Sequence, residues 1–430
     1  MQSLTAPAAP AARPAHRQAG THGLPPGPAG LHFEAIMQRL DDSGWRLATL
    51  AQVLPELTRR LPGASLPARS AWLGALRQHW PQLERRLLAG RDGGLDLGPD
   101  PELDLDLDLD LDLDPGPDPD PDPDPDPDPD PDGVAWMLGV LGGAMQCWRQ
   151  AATCFALSLA ARGPHHATWH NLAIAHWQLG EYEAAEQCMR RASAAAAGNT
   201  ACRSQLATMR AWRSTCRALL GADRLLAYPA HTDAARGALY ATLLGGHHAG
   251  ALLGQQDDPA LLRLARLQRL HTRAEARAWI EEELGVPGKI VLALMHPEHG
   301  FAGVAALDGD GDAATLYFWL GRAYRGQGGG RTALRLLKRL ALRLGIRYLY
   351  SPVLDENRRS LALLRRAGYR PLPGVVEEGI VPAPYYGLAL AGSAALDDDG
   401  HFARLCRLLR ATGGQAPSRT GPAVPARATP

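Results

Sequence analysis

The sequence predicts an α+β fold, a mixed sheet flanked by helices and preceded by an all-α helical module. Three observations lead there. Between residues 237 and 392, apolar runs of strand length alternate with amphipathic stretches of helical period. Within that region the run Thr315, Leu316, Tyr317, Phe318, Trp319, Leu320 leads into the turn Arg325-Gly326-Gln327-Gly328-Gly329-Gly330 and then directly into a long helical pattern. Between residues 134 and 222 the apolar residues keep three- and four-residue spacing throughout.

A chain of 430 residues has room for two or three domains. It is 46% hydrophobic without a continuous apolar run of spanning length, so no membrane span is expected. Residues 1–30 are Ala, Pro and Gly with scattered Arg and His, and they lack the apolar centre of a secretory signal. They read as a disordered leader, and the expected location is cytoplasmic. The six cysteines form no C-x-x-C pair, which favours reduced, structural thiols. The formal net charge is zero, yet fifteen of the 45 acidic residues lie in 102–132, which holds no basic one. The remainder is therefore basic, which suits an anionic cofactor; of the anionic partners, a small cofactor is favoured over nucleic acid.

Taken in order, residues 31–92 carry apolar residues at helical spacing, with intervening Gly and Pro, and predict about three helices. No chemistry is recognised in them, and a small helical domain or cap is the expected role. Residues 93–133 form a low-complexity linker in which Leu-Asp repeats turn into Pro-Asp repeats. The aspartates oppose strand pairing and proline at every second position removes donors, so a stiff solvated spacer is expected rather than a calcium site.

In 134–222, Trp169, Leu172, Gly180, Tyr182, Ala185 and Ala192 occupy the large, small and turn positions of a 34-residue helix-pair period. Weaker echoes stand one period away on each side, and the stretch resembles a tetratricopeptide repeat. The resemblance implies a concave groove lined by His170, Ile174, Trp177 and Gln178, which would help to bind a protein or peptide. The neighbouring His165, His166, His170 and His176, with Cys188, follow helix register rather than ligand geometry, so no metal is expected.

In 237–392, strands are expected at 289–295, 301–307, 315–320, 346–353, 369–372 and 385–390. A helix is expected at 272–284, opened by a capping-box spacing of Thr272 and Glu275. A helix follows the glycine turn, with Leu334, Leu337, Ala341 and Leu344 on its apolar face, and ends at Gly345. A second, at 360–367, stops at Gly368. Residues 393–430 read as a tail with one helix and a disordered end.

A strand, a glycine turn and a helix start make an anion cradle, because glycine lets backbone N–H groups approach a ligand that the helix terminus also attracts. The spacing is neither the dinucleotide G-x-G-x-x-G nor the Walker pattern; it is Arg-x-x-Gly-x-Gly. A second block follows, Asp355-Glu356-Asn357-Arg358-Arg359-Ser360, then Leu361 to Ala367 and Gly368-Tyr369. Together the two blocks resemble the GNAT superfamily of N-acetyltransferases, and the resemblance implies a first strand at 240–244 and a first helical section at 248–264.

The resemblance implies acetyl-CoA as acyl donor, held in a gap where the fourth and fifth strands splay. Backbone groups of Trp319, Leu320 and Arg322 would pair with pantetheine. The stretch Arg325, Gly326, Gln327, Gly328, Gly329, Gly330 and Arg331 would hold the pyrophosphate. Asn357 and Ser360 would reach the sulfur side, although Asn357 is equally suited to capping a helix. The fourth strand lacks the Glu that many relatives use as base, and Leu364 stands where many have a proton-donating Tyr. By family position Tyr385 and Tyr386, or Tyr324, are the substitute acids, with Glu298 and His299 as candidate bases. The expectation is an acetyl-CoA-dependent N-acetyltransferase acting on a primary amine, either a protein or peptide N-terminus or a small amine. The alternative is a tetratricopeptide-type interaction scaffold with a catalytically weak or CoA-sensing domain.

Overall fold

The computed structural model describes residues 28–60, 66–88, 131–196, 198–227, 239–256, 258–376 and 383–413. Most of the expected leader, most of the Leu-Asp and Pro-Asp tract and the end of the tail lie outside these residues, while 28–30 of the expected leader begin a helix. The amino-terminal part is helical: α1 (Pro28–Asp42), α2 (Leu47–Arg60), α3 (Leu66–Leu88), α4 (Pro131–Ala144), α5 (Trp148–Arg162), α6 (His166–Gln178), α7 (Tyr182–Ala195) and α8 (Thr200–Leu220).

Apolar packing ignores the acidic tract. Leu40, Leu50, Leu54 and Leu83, which precede it, share one core with Val134, Leu138 and Leu141 of α4, which follow it. Trp45 stacks on Trp72 at 5.4 Å in the same cluster. The helices before the tract are therefore packed on the helical module and are not a separate body.

From α5 to α8 the chain runs as consecutive packed helices with turns set by local chemistry. Gly180 takes φ +68° between α6 and α7. Asn199 caps α8 by accepting from the N–H groups of Ala201 and Cys202, and Gly221 closes the same helix in the left-handed region. The period residues Trp169, Leu172, Tyr182, Ala185 and Ala192 are all buried. Glu186 is buried as well. Burial pushes its carboxyl upward, but hydrogen bonds from Arg190 and Arg213 outweigh this and hold it below the ordinary range.

The carboxy-terminal part comprises β1 (Leu225–Leu226), β2 (Tyr240–Leu243), α9 (Ala249–Gly254), α10 (Pro259–Leu264), α11 (Arg273–Gly285), β3 (Lys289–His296), β4 (Gly300–Asp310), β5 (Ala313–Leu320), α12 (Gly329–Arg343), β6 (Tyr348–Pro352), α13 (Arg358–Arg366), β7 (Arg370–Val376), β8 (Ala383–Ala389) and α14 (Asp398–Ala411). One eight-stranded sheet has the order β1-β2-β3-β4-β5-β6-β8-β7. Among the described residues only β5 and β6 pair in parallel.

The expected strands are present, and their neighbours account for the helices. Thr272 caps α11 by accepting from Glu275 N–H at 3.1 Å, but Glu275 reaches back to His271 N–H, one residue before the cap. On α12 the buried face is Ala333, Leu334, Leu336, Leu337, Leu340 and Ala341, whereas Leu344 stays exposed at the end of the last turn.

A single apolar core runs from α5–α8 into β2–β5 and α12, joining Phe155, Trp177 and Met209 to Ala241, Leu292 and Leu337. A second core lies under α9 and α11, and a third beneath α14. This arrangement corrects the expected open groove. Ile174 and Trp177 are 0% and 2% exposed, and His170 and Gln178 are buried too. Trp177 packs on Tyr182 and His247, each at 4.7 Å, and His170 Nε2 meets Gln205 Oε1 at 2.5 Å. That face is closed by α8 at His170 and by His247 of the sheet domain at Trp177.

Candidate active site

The parallel pair β5/β6 is short. Ala313, Ala314 and Thr315 face Tyr348, Leu349 and Tyr350, and there the register ends. Beyond Thr315, β5 continues to Leu320 against β4, while β6 stays paired with β8 through Ser351 and Pro352. The strands part, and the β6-facing edge of residues 316–320 has no strand partner. Such an edge presents a row of N–H and C=O groups to whatever enters the gap.

At the mouth of the gap a 3-10 turn, Arg322–Tyr324, leads to the glycine turn. Gly326 and Gly328 take φ of +82° and +83°, a region disfavoured for residues with a side chain. Gly328 starts α12, and no side chain caps it. The N–H groups of Arg331 and Thr332 return to the Gly328 carbonyl, but those of Gly329 and Gly330 belong to the first turn, where a helix supplies no partner. Gly329 also packs too closely for a side chain, since a Cβ would lie 2.9 Å from Leu320 Cδ1. An uncapped helix start with close backbone suits a phosphate.

The residues expected to contact the donor divide into two groups. Gly326, Gln327, Gly328 and Arg331 are exposed at the turn, with Gly329, Gly330 and exposed Arg322 beside them. Trp319 and Leu320 are buried; Trp319 meets Phe301 edge-on at 6.2 Å, so only their backbone can face the gap. The Leu320 carbonyl already accepts from Arg325 Nε at 2.8 Å. Arg325 also contacts Asp258, with its NH1 group 2.5 Å from Oδ2, and so ties the turn to α10 rather than pointing outward. Asn357 caps α13 by accepting from Ser360 N–H at 3.2 Å, which realises the capping role.

Tyr385 and Tyr386, expected as acids, stand on opposite faces of β8. Tyr385 belongs to the core under α14 with Tyr348, Tyr350 and Leu405. Tyr386 belongs to the core of Leu361 and Leu364. Successive strand residues point to opposite sides, so the two cannot serve one point, and both are buried. Leu364 is 2% exposed and faces the core, so a tyrosine there would enter packed interior.

Beside the glycine turn lies a cavity of about 410 Å³. His296, His299, Tyr324 and Gln327 line it, and its opposite wall comes from Gln146 and Trp148 of the helical module. The rings of His296 and His299 stack at 4.7 Å, and Tyr324 lies 5.6 Å from His296 and 6.4 Å from His299. His296 Nδ1 accepts from Glu298 N–H at 3.1 Å, which leaves its proton on Nε2. Burial lowers the His296 pKa below the usual histidine range against the opposing pull of Glu298, and keeps the ring neutral. Burial pushes the Tyr324 phenol up to about 12, so it is a neutral donor at ordinary pH. Glu298 itself is exposed and does not line the cavity.

The helical wall was not legible in the sequence. Its residues lie about 150 positions from the hairpin that they face, and no motif marks them. The one local sign, Gln146 at φ +59°, is conformational. Among the described residues no group of three or more His, Cys, Asp or Glu could hold a metal, and no helix is long and apolar enough to cross a membrane.

Residues 244–370 match the family model described as acetyltransferase (GNAT) domain. Among solved structures the chain is similar to RimL, a ribosomal alpha-N-protein acetyltransferase (20% identity, TM-score 0.32, covering 36% of this chain and 91% of that one). It is also similar to spermidine N-acetyltransferase from Vibrio cholerae in complex with CoA and spermine (12%, TM-score 0.33, covering 35% and 95%). A third is the microcin self-immunity acetyltransferase MccE in complex with acetyl-CoA and AMP (16%, TM-score 0.32, covering 36% and 93%). No curated protein sequence matches the chain.

Proposed function

We propose that the chain is an acetyl-CoA-dependent N-acetyltransferase that acylates a primary amine by direct attack on the thioester. The observation that carries this reading is one juxtaposition: the parted edge of β5, the uncapped start of α12 and a cavity holding two histidines and a tyrosine. The family-model match over 244–370 supports it. Backbone groups of residues 316–320 hold the pantetheine arm, and the amides of Gly329 and Gly330 face the pyrophosphate. Bound acetyl-CoA supplies an activated acyl carbon whose leaving group is a thiolate.

The C–N bond forms as the C–S bond breaks. The neutral amine gives up one proton and the sulfur gains one, so no further reactant is needed. His299 receives the proton, directly or through water, and Tyr324 donates one to the sulfur. His296, fixed as a neutral ring by Glu298 N–H, offers Nε2–H to the carbonyl oxygen. The α6–α7 hairpin keeps its tetratricopeptide-like reading, but its role is to build the site rather than to offer an open groove. A pure interaction scaffold is disfavoured because the residues that would bind a partner are buried. Incubation with labelled acetyl-CoA and a panel of amines tests the reading; hydrolysis without transfer to any amine would overturn it.

A further inference from the structure

The wall chemistry of the 410 Å³ cavity narrows the acceptor. Among the described residues no Asp, Glu, Lys or Arg lines it. Its polar groups are the carboxamides of Gln146, Gln178, Gln255 and Gln327, the phenol of Tyr324, the two imidazoles, the Cys147 thiol and the Trp148 indole N–H. Each carboxamide donates and accepts, which is the pattern that a peptide bond requires of its surroundings. Trp148, partly buried on the helical side, adds an apolar face. The volume falls in the range that takes a small ligand or the first residues of a chain.

A cavity without a carboxylate does not offset the desolvation of an ammonium ion, so an amine must enter uncharged. The cost of losing the proton separates the classes of amine. An α-amine titrates near 7.7–8.0 and a lysine or alkyl amine near 10.4, so at neutral pH the uncharged fraction is about 250–500-fold larger for the α-amine.

We propose that this cavity is the acceptor site, that the α4–α5 corner and the end of α6 supply its far wall, and that it takes the α-amine of a peptide rather than a lysine side chain or a polyamine. The proposal rests on the acetyltransferase reading. It makes Gln146 and Trp148, outside the sheet domain, specificity-determining residues.

The test uses the full chain with three probes: a short peptide with a free α-amine, the same peptide with its α-amine blocked and one lysine free, and spermidine. The expected result is kcat/KM at least about tenfold higher for the free α-amine. Trp148→Ala is expected to raise the peptide KM about tenfold with the CoA-induced rise in Tm intact. Gln146→Glu, at an exposed position, is expected to shrink the preference over spermidine by supplying the missing carboxylate. Transfer favouring lysine or spermidine in the wild type, or an unchanged peptide KM in Trp148→Ala together with an unchanged preference in Gln146→Glu, would overturn the acceptor assignment while leaving the acetyltransferase reading standing. Absence of both transfer and a CoA-induced Tm shift would overturn the two together.

Discussion

The hydroxyl of Thr242 in β2 donates to the hydroxyl of Tyr182 in α7 at 2.9 Å, within the buried seam between the helical module and the sheet. Tyr240, two residues earlier, donates to the carbonyl of Leu179. Tyr182→Phe leaves the Thr242 hydroxyl without that partner and is expected to destabilise the whole chain by about 1–3 kcal/mol. The check is urea unfolding followed by one probe in the module and one in the sheet. Because the core is shared, removal of residues 1–220 is expected to give an insoluble or unfolded sheet domain; a soluble, CoA-responsive fragment would show that the seam is dispensable.

Two histidines in the same seam predict an acid-sensitive fold. His248 is buried and His247 half-buried, and desolvation holds both below the usual histidine range, His248 to about 3. His248 Nδ1 accepts from Gly245 N–H, a bond that a proton on that nitrogen would break. Both rings stay neutral when folded and take up protons on unfolding, so their contribution is complete above about pH 6.5 and falls as pH drops from there, for His248 toward about 3. The expected slope approaches about 1.4 kcal/mol per pH unit for each ring. His247→Phe is expected to flatten the stability profile between pH 6.5 and 5, measured by denaturant titration.

Gly328→Asp introduces a carboxylate at the uncapped start of α12 at φ +83°, in open space. The expected outcome is loss of CoA affinity by about tenfold or more, which is about 1.4 kcal/mol, alongside a lowered melting temperature of the ligand-free protein from a side chain at positive φ. Calorimetric titration with CoA decides the matter, and unaltered affinity would separate the glycine turn from the donor site.

Tyr324→Phe is expected to lower kcat about 10²–10⁴-fold while sparing CoA binding, as the loss of a general acid does. Tyr385→Phe, under α14, is expected to leave kcat in its original range and to act on stability. The reverse pattern would return the acid to β8. Leu364→Tyr overfills a packed core and is expected to cost about 1–3 kcal/mol of stability with no gain in rate.

Much of the sheet domain was legible because its signals are local. Strand patterns, the Thr272 cap, the positive-φ glycines and the Arg-x-x-Gly-x-Gly turn each act over a few residues. Family position puts Tyr385 and Tyr386 side by side along a strand, whereas pleat alternation sends them to different cores, which their spacing in the sequence alone does not decide. The groove misled for a similar reason: helical spacing identifies the apolar face of α6 around Ile174 and Trp177 but does not say what covers it. Arg325 looked like a ligand contact from its place in the turn, and only Asp258, 67 residues away, turns it into a tether. The helical wall of the cavity depends wholly on docking between distant segments and left no trace in residue spacing.

Between β5 and β6 the eight-stranded sheet is joined by three residue pairs, a short hinge between β1–β5 and β6–β8 that α14 bridges, with Leu405 packed among Ala313 of β5 and Tyr348 and Tyr385. A molecule lodged between them pairs with one lip and packs against the other, acting as a clasp on that hinge. Amide exchange at Tyr348–Tyr350 should therefore slow when CoA is added, even though the ligand does not hydrogen-bond to those amides, because opening the hinge would require breaking the clasp.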